Sequence, residues 1–421
     1  MKFTVTRNVL LAALNRAKCI IYPKGANNVF KTIVFSFPSF PEEEEQEEIK
    51  SVTIHTSDGQ QWYSETIPVT LESKSEPVRN FSVWYHDFIR AIRSLDEQPL
   101  LFHVGEMQMS VTHDCGSFRL PLENSAEEFV AIPKPSPDAD AADGFSMEYE
   151  SPVLRSIFTK CSYAMAYDEL RPALNGIYMN LTKDYSDYVS SDGHKLVRVR
   201  KGAIETNGTG DCCLIIPART VRTLLRILPT TGDVLFEYQE KTEKKVTKTS
   251  GSEVRSWTET VRKAAVRITI DDTITFSFYS VDGKYPKYWT VISDTCNYEM
   301  VINRRKLIKS IDRLSIFADS SSEMLRLFVK EDVLNMTCSD KDLEADGEET
   351  LSCDYRGVRM MPTAFRIGMK ASSLSATLKH LSSEEVVLKF IDSSQAVLIL
   401  PQPQPDVEEV TMLLMPMMIN D

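Results

Sequence analysis

The sequence predicts an α+β protein built from three repeated units, each with two helices and antiparallel sheets. A short strand followed at once by an amphipathic helix occurs three times, with the helices starting near residues 7, 151 and 303. A second strand and helix follow in each unit, with helices starting near residues 82, 219 and 372. Because the spacing is nearly equal in all three units, we expect three domains of similar topology.

The segments between these helices are short runs rich in β-branched and aromatic residues. Runs such as KTIVFSF, ITFSFYS and VVLKFI are bounded by turn residues, which is typical of strands. Strands outnumber helices and follow one another in meanders. The pattern therefore favours α+β architecture over a regular alternation of strand and helix.

Two composition changes mark the domain boundaries. A linker rich in proline, alanine and aspartate covers 133–144, and a less distinct boundary falls near 292–297. The predicted domains are 1–133, 145–293 and 297–421. Two low-complexity stretches, an acidic one at 41–48 and a lysine-rich one at 239–253, are interpreted as solvated hairpin tips.

Composition narrows the class of protein. A formal net charge of -12 argues against a general nucleic-acid-coating protein, which usually carries a basic surface. The eight cysteines are scattered without metal-ligand spacing, so we expect reduced thiols in a cytoplasmic protein that needs no metal or cofactor. The N-terminus does not resemble a signal peptide, and no run of about 18 apolar residues predicts a membrane span.

Positive charge is concentrated on one face of three predicted helices. At about 100° per residue, apolar side chains gather on one side of each helix and basic side chains on the other. The basic positions are Arg90 and Arg93 in the first unit, Arg219, Arg222 and Arg226 in the second, and Arg305, Lys309 and Arg313 in the third. Like charges at this spacing destabilise an isolated helix, so the faces predict an anionic partner such as a phosphate backbone. The alternative is a solvated face that happens to be basic.

Catalytic patterns are weak. Ser191, Asp192 and His194 are neighbours on one predicted turn, whereas a nucleophile, a base and an orienting group normally converge from separate elements. The chain also contains no phosphate-binding GxxxxGK[ST] motif. We therefore expect a binding scaffold. A hydrolase that uses Ser191 and His194, and a monomeric interaction protein that does not bind DNA, are the alternatives.

Four segments carry a resemblance to a known family. They are MKFTVTRNVLLAAL at the start, RPALNGIYMNL with SDGHKLVRV in the centre, DGKYPKYWTVI, and LLMPMM near the end. In this order, across the whole chain, they resemble the β sliding clamps of bacterial replicative DNA polymerases. The resemblance implies a head-to-tail homodimeric ring of six repeated units, with helices lining a hole for duplex DNA and sheets outside. It also implies a non-catalytic accessory subunit that binds the polymerase catalytic subunit, an ATP-driven clamp loader and other proteins carrying clamp-binding peptides.

The resemblance also implies functional positions. Lys24 and Arg171 would contact DNA together with the basic helix faces. The partner-peptide pocket would be formed by Leu174, Ser191, Gly193, His194, Lys195, Leu196, Pro286, Thr290, Val291, Leu413, Met415, Pro416 and Met417. The dimer interface would join Phe118 and Leu120 of one protomer to Ile316 and Phe317 of the other.

Some positions depart from the family pattern. Pro172 and Ala173 stand where the family often has aromatic residues, and Thr290 and Met418 stand where it usually has basic ones. The apolar C-terminal segment LLMPMMIND would by itself be interpreted as a last core strand. The resemblance instead implies that Met415 to Met417 form one wall of the pocket, where flexible methionines can adapt to different peptides.

Overall fold

The fold is known from a computed structural model. It describes residues 1–21, 27–38, 51–71, 80–123, 125–131, 134–138, 144–208, 211–247, 257–293, 295–340, 342–357 and 364–419. The helices are α1 (Arg7–Ala17), α2 (Tyr85–Arg93), α3 (Ser125–Ala131), α4 (Ser151–Ser162), α5 (Ala218–Ile227), α6 (Arg304–Leu314) and α7 (Ala371–Lys379). Lys24, the acidic stretch 41–48, the tip of the lysine-rich hairpin at 248–256, Asn420 and Asp421 lie outside the described residues.

The strands follow in chain order. The first ten are β1 (Lys2–Thr6), β2 (Thr32–Ser36), β3 (Ser51–Ser57), β4 (Gln61–Pro68), β5 (Thr70–Leu71), β6 (Phe81–Trp84), β7 (Pro99–Val104), β8 (Gln108–His113), β9 (Gly116–Pro121) and β10 (Gly144–Glu150). The next seven are β11 (Gly176–Leu181), β12 (Tyr185–Ser191), β13 (Lys195–Gly202), β14 (Cys212–Pro217), β15 (Asp233–Thr247), β16 (Trp257–Ile270) and β17 (Ile274–Tyr279). The last nine are β18 (Tyr298–Asn303), β19 (Met324–Lys330), β20 (Val333–Asp340), β21 (Ala345–Ser352), β22 (Asp354–Gly357), β23 (Ala364–Lys370), β24 (Glu385–Phe390), β25 (Val397–Gln402) and β26 (Glu409–Leu414).

The predicted α+β composition is confirmed, and each of the six predicted helices is present. Helix α2 begins at Tyr85 rather than near Ser82, because the residues from Phe81 to Trp84 pair as strand β6. Helix α3 was not predicted. It ends shortly before the predicted linker at 133–144, and its seven residues show too little periodicity to identify it.

The chain divides into two compact units. Unit 1 comprises 1–153, 205–209 and 222–280, and unit 2 comprises 154–204, 210–221 and 281–421. Each unit contains a large antiparallel sheet and a smaller one. The large sheet of unit 1 has the order β6-β2-β3-β4-β17-β16-β15-β10, and that of unit 2 has the order β14-β11-β12-β13-β26-β25-β24-β18, with β22 as a ninth strand. The small sheets have the orders β5-β1-β7-β8-β9 in unit 1 and β21-β20-β19-β23 in unit 2.

The two large sheets repeat one design. In each, four strands from one predicted domain pair with four from the next, and the junction is β4 with β17 in unit 1 and β13 with β26 in unit 2. Hydrogen bonds across the junction make the sheet continuous, which explains why each compact unit is larger than one predicted domain. The domain boundaries derived from the sequence remain a prediction.

Helices pack on one face of each large sheet. In unit 1 the apolar side of α1 is buried, and the hydroxyl of Tyr85 donates to the carbonyl of Leu14, which joins α2 to α1. In unit 2 the thiol of Cys161 in α4 donates to the carbonyl of Tyr188, and the hydroxyl of Ser190 donates to the carbonyl of Cys161. The opposite face of each sheet is thus left for other segments of the chain.

A connecting segment covers that opposite face in both units. In unit 1, Pro135 and Pro137 are buried and the amide of Asp138 donates to the Gln239 side-chain oxygen at 3.0 Å, so this part of the predicted linker is packed. In unit 2, residues 281–292 run over the sheet and bury Tyr285 and Tyr288. None of the helices in the described ranges is long and apolar enough to cross a membrane.

Candidate peptide pocket and nucleic-acid interface

An apolar cluster forms where the 281–292 segment of unit 2 packs on the large sheet. Its buried members are Ala166, Leu174, Val189, Leu196, Ile215, Tyr285, Tyr288, Leu398 and Leu413. The strand positions alternate with residues that face the helices, so one face of β12, β13, β25 and β26 builds the cluster. The structure therefore brings together Leu174, Leu196 and Leu413, which the sequence assigned to the pocket.

A groove of about 420 Å³ continues from this cluster toward solvent. Three predicted pocket residues line it: Thr290, Val291 and Met415. Val291 is 52% exposed and Met415 is 40% exposed, so apolar surface lines the opening. Such surface beside a buried apolar floor suits an apolar anchor from a partner.

Sequence reasoning missed most of the groove. The additional lining residues are Ser293, Thr295, Cys296, Lys389, Ile391, Ser394, Gln395, Ala396 and Leu398. Most of them belong to the β24–β25 hairpin, whose alternating pattern looks like any half-buried strand pair. The pairing of β25 with β26, through Leu398 and Leu413, places this hairpin beside the C-terminal residues.

The turn that connects β12 to β13 lies beside Met415, whose amide donates to the carbonyl of His194. The Asp192 carboxylate accepts hydrogen bonds from the amides of His194 and Lys195 at 2.8 and 2.9 Å. The Ser191 hydroxyl donates to the carbonyl of Lys195 at 2.9 Å and accepts from the amide of Gly193 at 3.1 Å. Gly193 has φ +92°, a conformation that favours glycine. These contacts explain the SDGHKL motif as turn chemistry, because Ser191 and Asp192 are both engaged by the turn's backbone.

Arg171 lies beside this turn. Its guanidinium donates to Asp168 at 2.7 Å, which lowers the pKa of that carboxyl group, and it approaches the carbonyl of Asp192 at 3.5 Å. A Cβ atom on Gly193 would lie 2.9 Å from an Arg171 nitrogen. The residue that the resemblance offered as a DNA contact thus stands next to the predicted pocket turn.

The C-terminal residues leave β26 and bridge two parts of unit 2. The amide of Met415 donates to the carbonyl of His194, and the amide of Met417 donates to the carbonyl of Gly368 in β23, both at 2.8 Å. Pro416 and Met417 are half-buried, whereas Met418 is 77% exposed. The apolar segment is therefore a core strand up to Leu414 and a surface segment from Met415 to Met418.

The 281–292 segment is fixed by a buried carboxylate. Asp187 is fully buried and accepts two hydrogen bonds from the Arg200 guanidinium, each at 2.7 Å. The Tyr288 hydroxyl donates to the same carboxylate at 2.6 Å, and burial raises the pKa of this phenol. Pro286 lies exposed two residues earlier on the segment. A protonated Tyr288 therefore holds the pocket-forming segment on the sheet.

The basic side of α5 is exposed along its length. Arg219, Arg222 and Arg226 are exposed, while Val221 and Leu224 on the opposite side are buried. The helix contains no acidic residue. Its surface therefore presents three guanidinium groups along one side.

The other two basic faces are also exposed, with neighbours that the sequence did not reveal. Arg90 is exposed on α2, and exposed Arg93 donates to the Asn15 side-chain oxygen at 3.0 Å. On α6, Arg305 and Lys309 are exposed. Arg313 on that helix is also exposed, but it forms a bidentate pair with Glu349 of β21 at 2.6 and 2.7 Å. Among Arg305, Lys309 and Arg313, the charge of Arg313 is thus compensated by the carboxylate of Glu349.

The predicted dimer residues lie at open sheet edges. Phe118 and Leu120 are half-buried on β9, the last strand of the small sheet of unit 1. Ile316 and Phe317 follow α6 and are exposed, and the Phe317 ring lies against Gly347 of β21, an edge strand of the small sheet of unit 2. Exposed edges of this kind are suited to pairing with another chain.

Among the described residues, no three His, Cys, Asp or Glu side chains come together as a possible metal site. None of the eight cysteines, all of which lie in the described part of the chain, forms a disulfide.

Comparison with known proteins places this architecture in a family. Residues 148–287 match the central domain, and residues 290–417 the C-terminal domain, of the DNA polymerase III beta subunit. The "Beta sliding clamp" of Treponema pallidum is 20% identical over 98% of this chain and 99% of its own length. That of Pseudomonas putida is 24% identical over 76% of this chain and 74% of its own.

Solved structures give the same result over the full length. A sliding clamp from Pseudomonas aeruginosa bound to griselimycin has a TM-score of 0.81 at 20% identity, and one from Bartonella birtlesii, also bound to griselimycin, has 0.80 at 21%. The beta subunit from Thermotoga maritima has 0.78 at 18%. Each match covers 100% of both chains. The chain belongs to the DNA polymerase III beta subunit family, the β sliding clamps.

Proposed function

We propose that this protein is a DNA sliding clamp, a homodimeric ring that encircles duplex DNA and holds the replicative polymerase and other partners to it. The observation that carries the proposal is the match of fold and family along the whole chain. The clamp would act as a scaffold without chemistry of its own, and a clamp loader would open and close it around DNA.

The basic helix faces are proposed to meet the DNA. Exposed guanidinium and ammonium groups on α2, α5 and α6 suit phosphate oxygens, and phosphate contacts carry no base sequence. Arg222, Arg226, Arg305 and Lys309 are the strongest candidates on α5 and α6. Arg313 is a weaker one because Glu349 already neutralises it. Since a closed ring is held on DNA by topology, such contacts can remain individually weak and still permit sliding.

The groove of unit 2 is proposed to bind partner peptides. Leu398 lines the groove and belongs to the buried cluster that contains Leu174, Leu196 and Leu413, and Val291 and Met415 line the groove with exposed apolar surface. An extended peptide with apolar anchors would bury these side chains, while the exposed backbone of the turn at 191–195 would contribute polar contacts. The flexible thioether of Met415 would allow partners with different anchors to use one site.

Dimerisation is proposed to occur through the two open edges. Strand β9 of one protomer would pair with β21 of the other, so that Phe118 and Leu120 meet Ile316 and Phe317. Joining these edges in both directions would close a head-to-tail ring and remove two exposed strand edges from each protomer.

Retention on DNA tests encirclement. After loading onto nicked circular DNA, the protein should remain bound through gel filtration at high salt, because the ring is topologically linked. Cutting the circle once should release it by sliding off the ends. Equal loss from intact and cut circles would contradict the proposal, whatever the affinity of the protein for DNA.

Salt dependence tests the helix faces. In the double variant Arg222→Gln, Arg226→Gln, the plot of log affinity against log salt should become shallower by about 0.9 for each phosphate that is no longer neutralised. Arg356→Gln is a matched control, since Arg356 is an exposed arginine that pairs with Asp354 on strand β22. An unchanged slope in the double variant would remove α5 from the DNA interface.

A further inference from the structure

We propose that unit 1 contains a second ligand pocket, built on the same framework as the peptide groove of unit 2, which binds an apolar C-terminal residue of a peptide. The existence of the pocket is independent of the ring function. The choice of a peptide as ligand rests on the proposed peptide function of the groove in unit 2.

The first observation is a repeated turn. Residues 57–62 read SDGQQW, and residues 191–196 read SDGHKL. The Asp58 carboxylate accepts hydrogen bonds from the amides of Gln60 and Gln61, both at 2.8 Å, and the Ser57 hydroxyl accepts from the amide of Gly59 at 2.9 Å. Asp192 and Ser191 make the same contacts in unit 2. The turns therefore align the two large sheets residue by residue.

This alignment gives two residues on the covered face of the unit 1 sheet a counterpart in the apolar cluster of unit 2. Trp62 corresponds to Leu196, and His55, two residues before the turn, corresponds to Val189. Both unit 2 residues belong to the apolar cluster under the groove. The covering segment corresponds as well, because α3 and residues 134–138 cover the unit 1 sheet where residues 281–292 cover that of unit 2.

A pocket of about 210 Å³ occupies this position in unit 1. Val34, His55, Trp62 and Ser64 line it from the sheet, and Phe129 and Lys134 from the covering segment. The Phe129 ring lies 6.2 Å from the His55 ring. The volume is below the range of about 300–1,000 Å³ typical for drug-sized ligands, so the pocket is suited to a single residue.

The pocket combines apolar walls with a buried hydrogen-bond donor that has no acceptor among the described groups. Trp62 is 4% exposed, and its indole nitrogen, among the groups that the structure describes, has no hydrogen-bond partner. A buried donor of this kind recovers free energy when a ligand supplies an acceptor. Lys134 adds a cation, and the lining contains no carboxylate.

His55 is arranged to remain neutral. Its Nδ1 atom lies 2.8 Å from the Ser64 hydroxyl, and burial, together with the charge of Lys134, lowers the pKa of the ring to about 4. Lys134 is therefore the basic group of the lining, and burial together with the charge of Arg267 lowers its pKa from the ordinary lysine value. A peptide C-terminus provides an apolar side chain next to a carboxylate. The side chain would pack against the apolar walls, and the carboxylate would pair with Lys134 and accept a hydrogen bond from the indole of Trp62.

The test uses N-acetyl-L-phenylalanine, which has the apolar side chain and the carboxylate, and its primary amide, which lacks the charge. Binding is followed in the full-length protein by the indole N–H signal of Trp62, assigned by its absence in Trp62→Phe. We expect a saturable shift with the acid and about tenfold weaker binding of the amide, because the amide cannot form a charge-assisted hydrogen bond. No saturable shift, or equal affinity for the two compounds, would overturn the proposal.

Variants separate the pocket from its alternatives. Lys134→Gln changes a surface side chain and should reduce acid binding about tenfold while leaving amide binding unchanged. Loss of discrimination in this variant supports the assignment, and unchanged discrimination overturns it. Binding of a partner peptide to the unit 2 groove should be the same in Lys134→Gln and wild type. The proposal for the unit 1 pocket and the proposed peptide function of unit 2 are therefore tested by separate binding measurements, and one can fail without the other. Stronger binding of 3-phenylpropanoate than of N-acetyl-L-phenylalanine would contradict a peptide ligand.

Discussion

The two large sheets share a strand order and a turn sequence, but Glu65 of unit 1 and Asp187 of unit 2 are buried on opposite faces of them. In unit 1 Glu65 on β4 is 4% exposed, and a second buried carboxylate, Glu237, pairs with Arg267. Glu65 accepts hydrogen bonds from the Arg16 guanidinium of α1 and from the Tyr63 hydroxyl. The Glu65 carboxylate thus faces the helices and joins α1 to the sheet.

In unit 2 the buried carboxylate of Asp187 faces away from the helices. Asp187 on β12 lies on the same face as the apolar cluster, and it binds Arg200 and the Tyr288 hydroxyl of the covering segment. Glu65 thus joins the sheet of unit 1 to a helix, whereas Asp187 joins the sheet of unit 2 to the segment that covers its other face.

Removing the carboxylates should have the largest effect. Asp187→Ala leaves the Arg200 charge without its partner, and Glu65→Ala does the same to Arg16, so each should lower the free energy of unfolding by about 3–5 kcal/mol. Partial exposure of the two arginines places the expected values at the lower end. Urea denaturation, followed by circular dichroism, measures both.

The two substitutions should differ in their functional consequences. Asp187→Ala should also weaken peptide binding to the unit 2 groove, since Tyr288 loses its acceptor, whereas Glu65→Ala should leave that affinity unchanged below its unfolding transition. Equal losses of peptide affinity would show that the groove responds to general stability rather than to this anchor.

A smaller effect is expected from the phenols. Tyr288→Phe removes one hydrogen bond to a charged acceptor, and Tyr63→Phe removes the equivalent bond in unit 1, so each should cost about 1.5–3 kcal/mol of unfolding free energy. Only Tyr288→Phe should raise the dissociation constant of a fluorescent partner peptide. If Tyr63→Phe raises it as much, the assignment of Tyr288 as the anchor of the wall fails.

Much of the architecture was predictable because it follows from periodic patterns. A single sequence displays directly the periodicity of apolar and charged side chains. This periodicity predicted the threefold repeat of a strand followed by a helix, the six helices and their basic faces. Leu196 and Leu413, two residues that the resemblance brought forward, lie opposite each other because β13 pairs with β26.

The remaining features depend on tertiary partners that no local pattern specifies. Nothing in the sequence shows that Glu349 neutralises Arg313, that Asp187 joins Tyr288, or that the β24–β25 hairpin lines the groove. The acidic sequence of β21 does not resemble a strand, although it pairs with β20 over its whole length. The repeat of SDGQQW and SDGHKL is present in the sequence, and it would have aligned the two large sheets.

Lowering the pH from 7 to 5 should reduce the free energy of unfolding through His55 of unit 1 by about 2 kcal/mol. Burial, and then Lys134, lowers the pKa of His55 to about 4, whereas an unfolded histidine titrates near 6.5. Between these values the unfolded state binds a proton that the folded state does not, so stability falls as pH falls through this window. At pH 5, relative to pH 7, wild type should therefore lose about 2 kcal/mol more than His55→Gln.

The control for the His55 prediction is a substitution at the counterpart position in unit 2. Val189→Gln introduces the same side chain where no titratable group stood, so its pH profile should follow that of wild type with a constant offset. A His55→Gln profile parallel to wild type from pH 7 to pH 5 would show that His55 is protonated as readily in the folded protein as in the unfolded chain.

The smallest expected effect concerns the repeated turns themselves. Gly59 and Gly193 have φ values of +86° and +92°, so alanine at either position should cost about 1–2 kcal/mol of unfolding free energy. The neighbours differ, because a Cβ atom would meet the Phe30 ring at 3.0 Å in unit 1 and the Arg171 guanidinium at 2.9 Å in unit 2. Calorimetry should therefore give similar losses, while peptide titration should change only in Gly193→Ala, where Arg171 must move from the pocket turn. A change of peptide affinity in Gly59→Ala alone would reverse the functional assignment of the two turns.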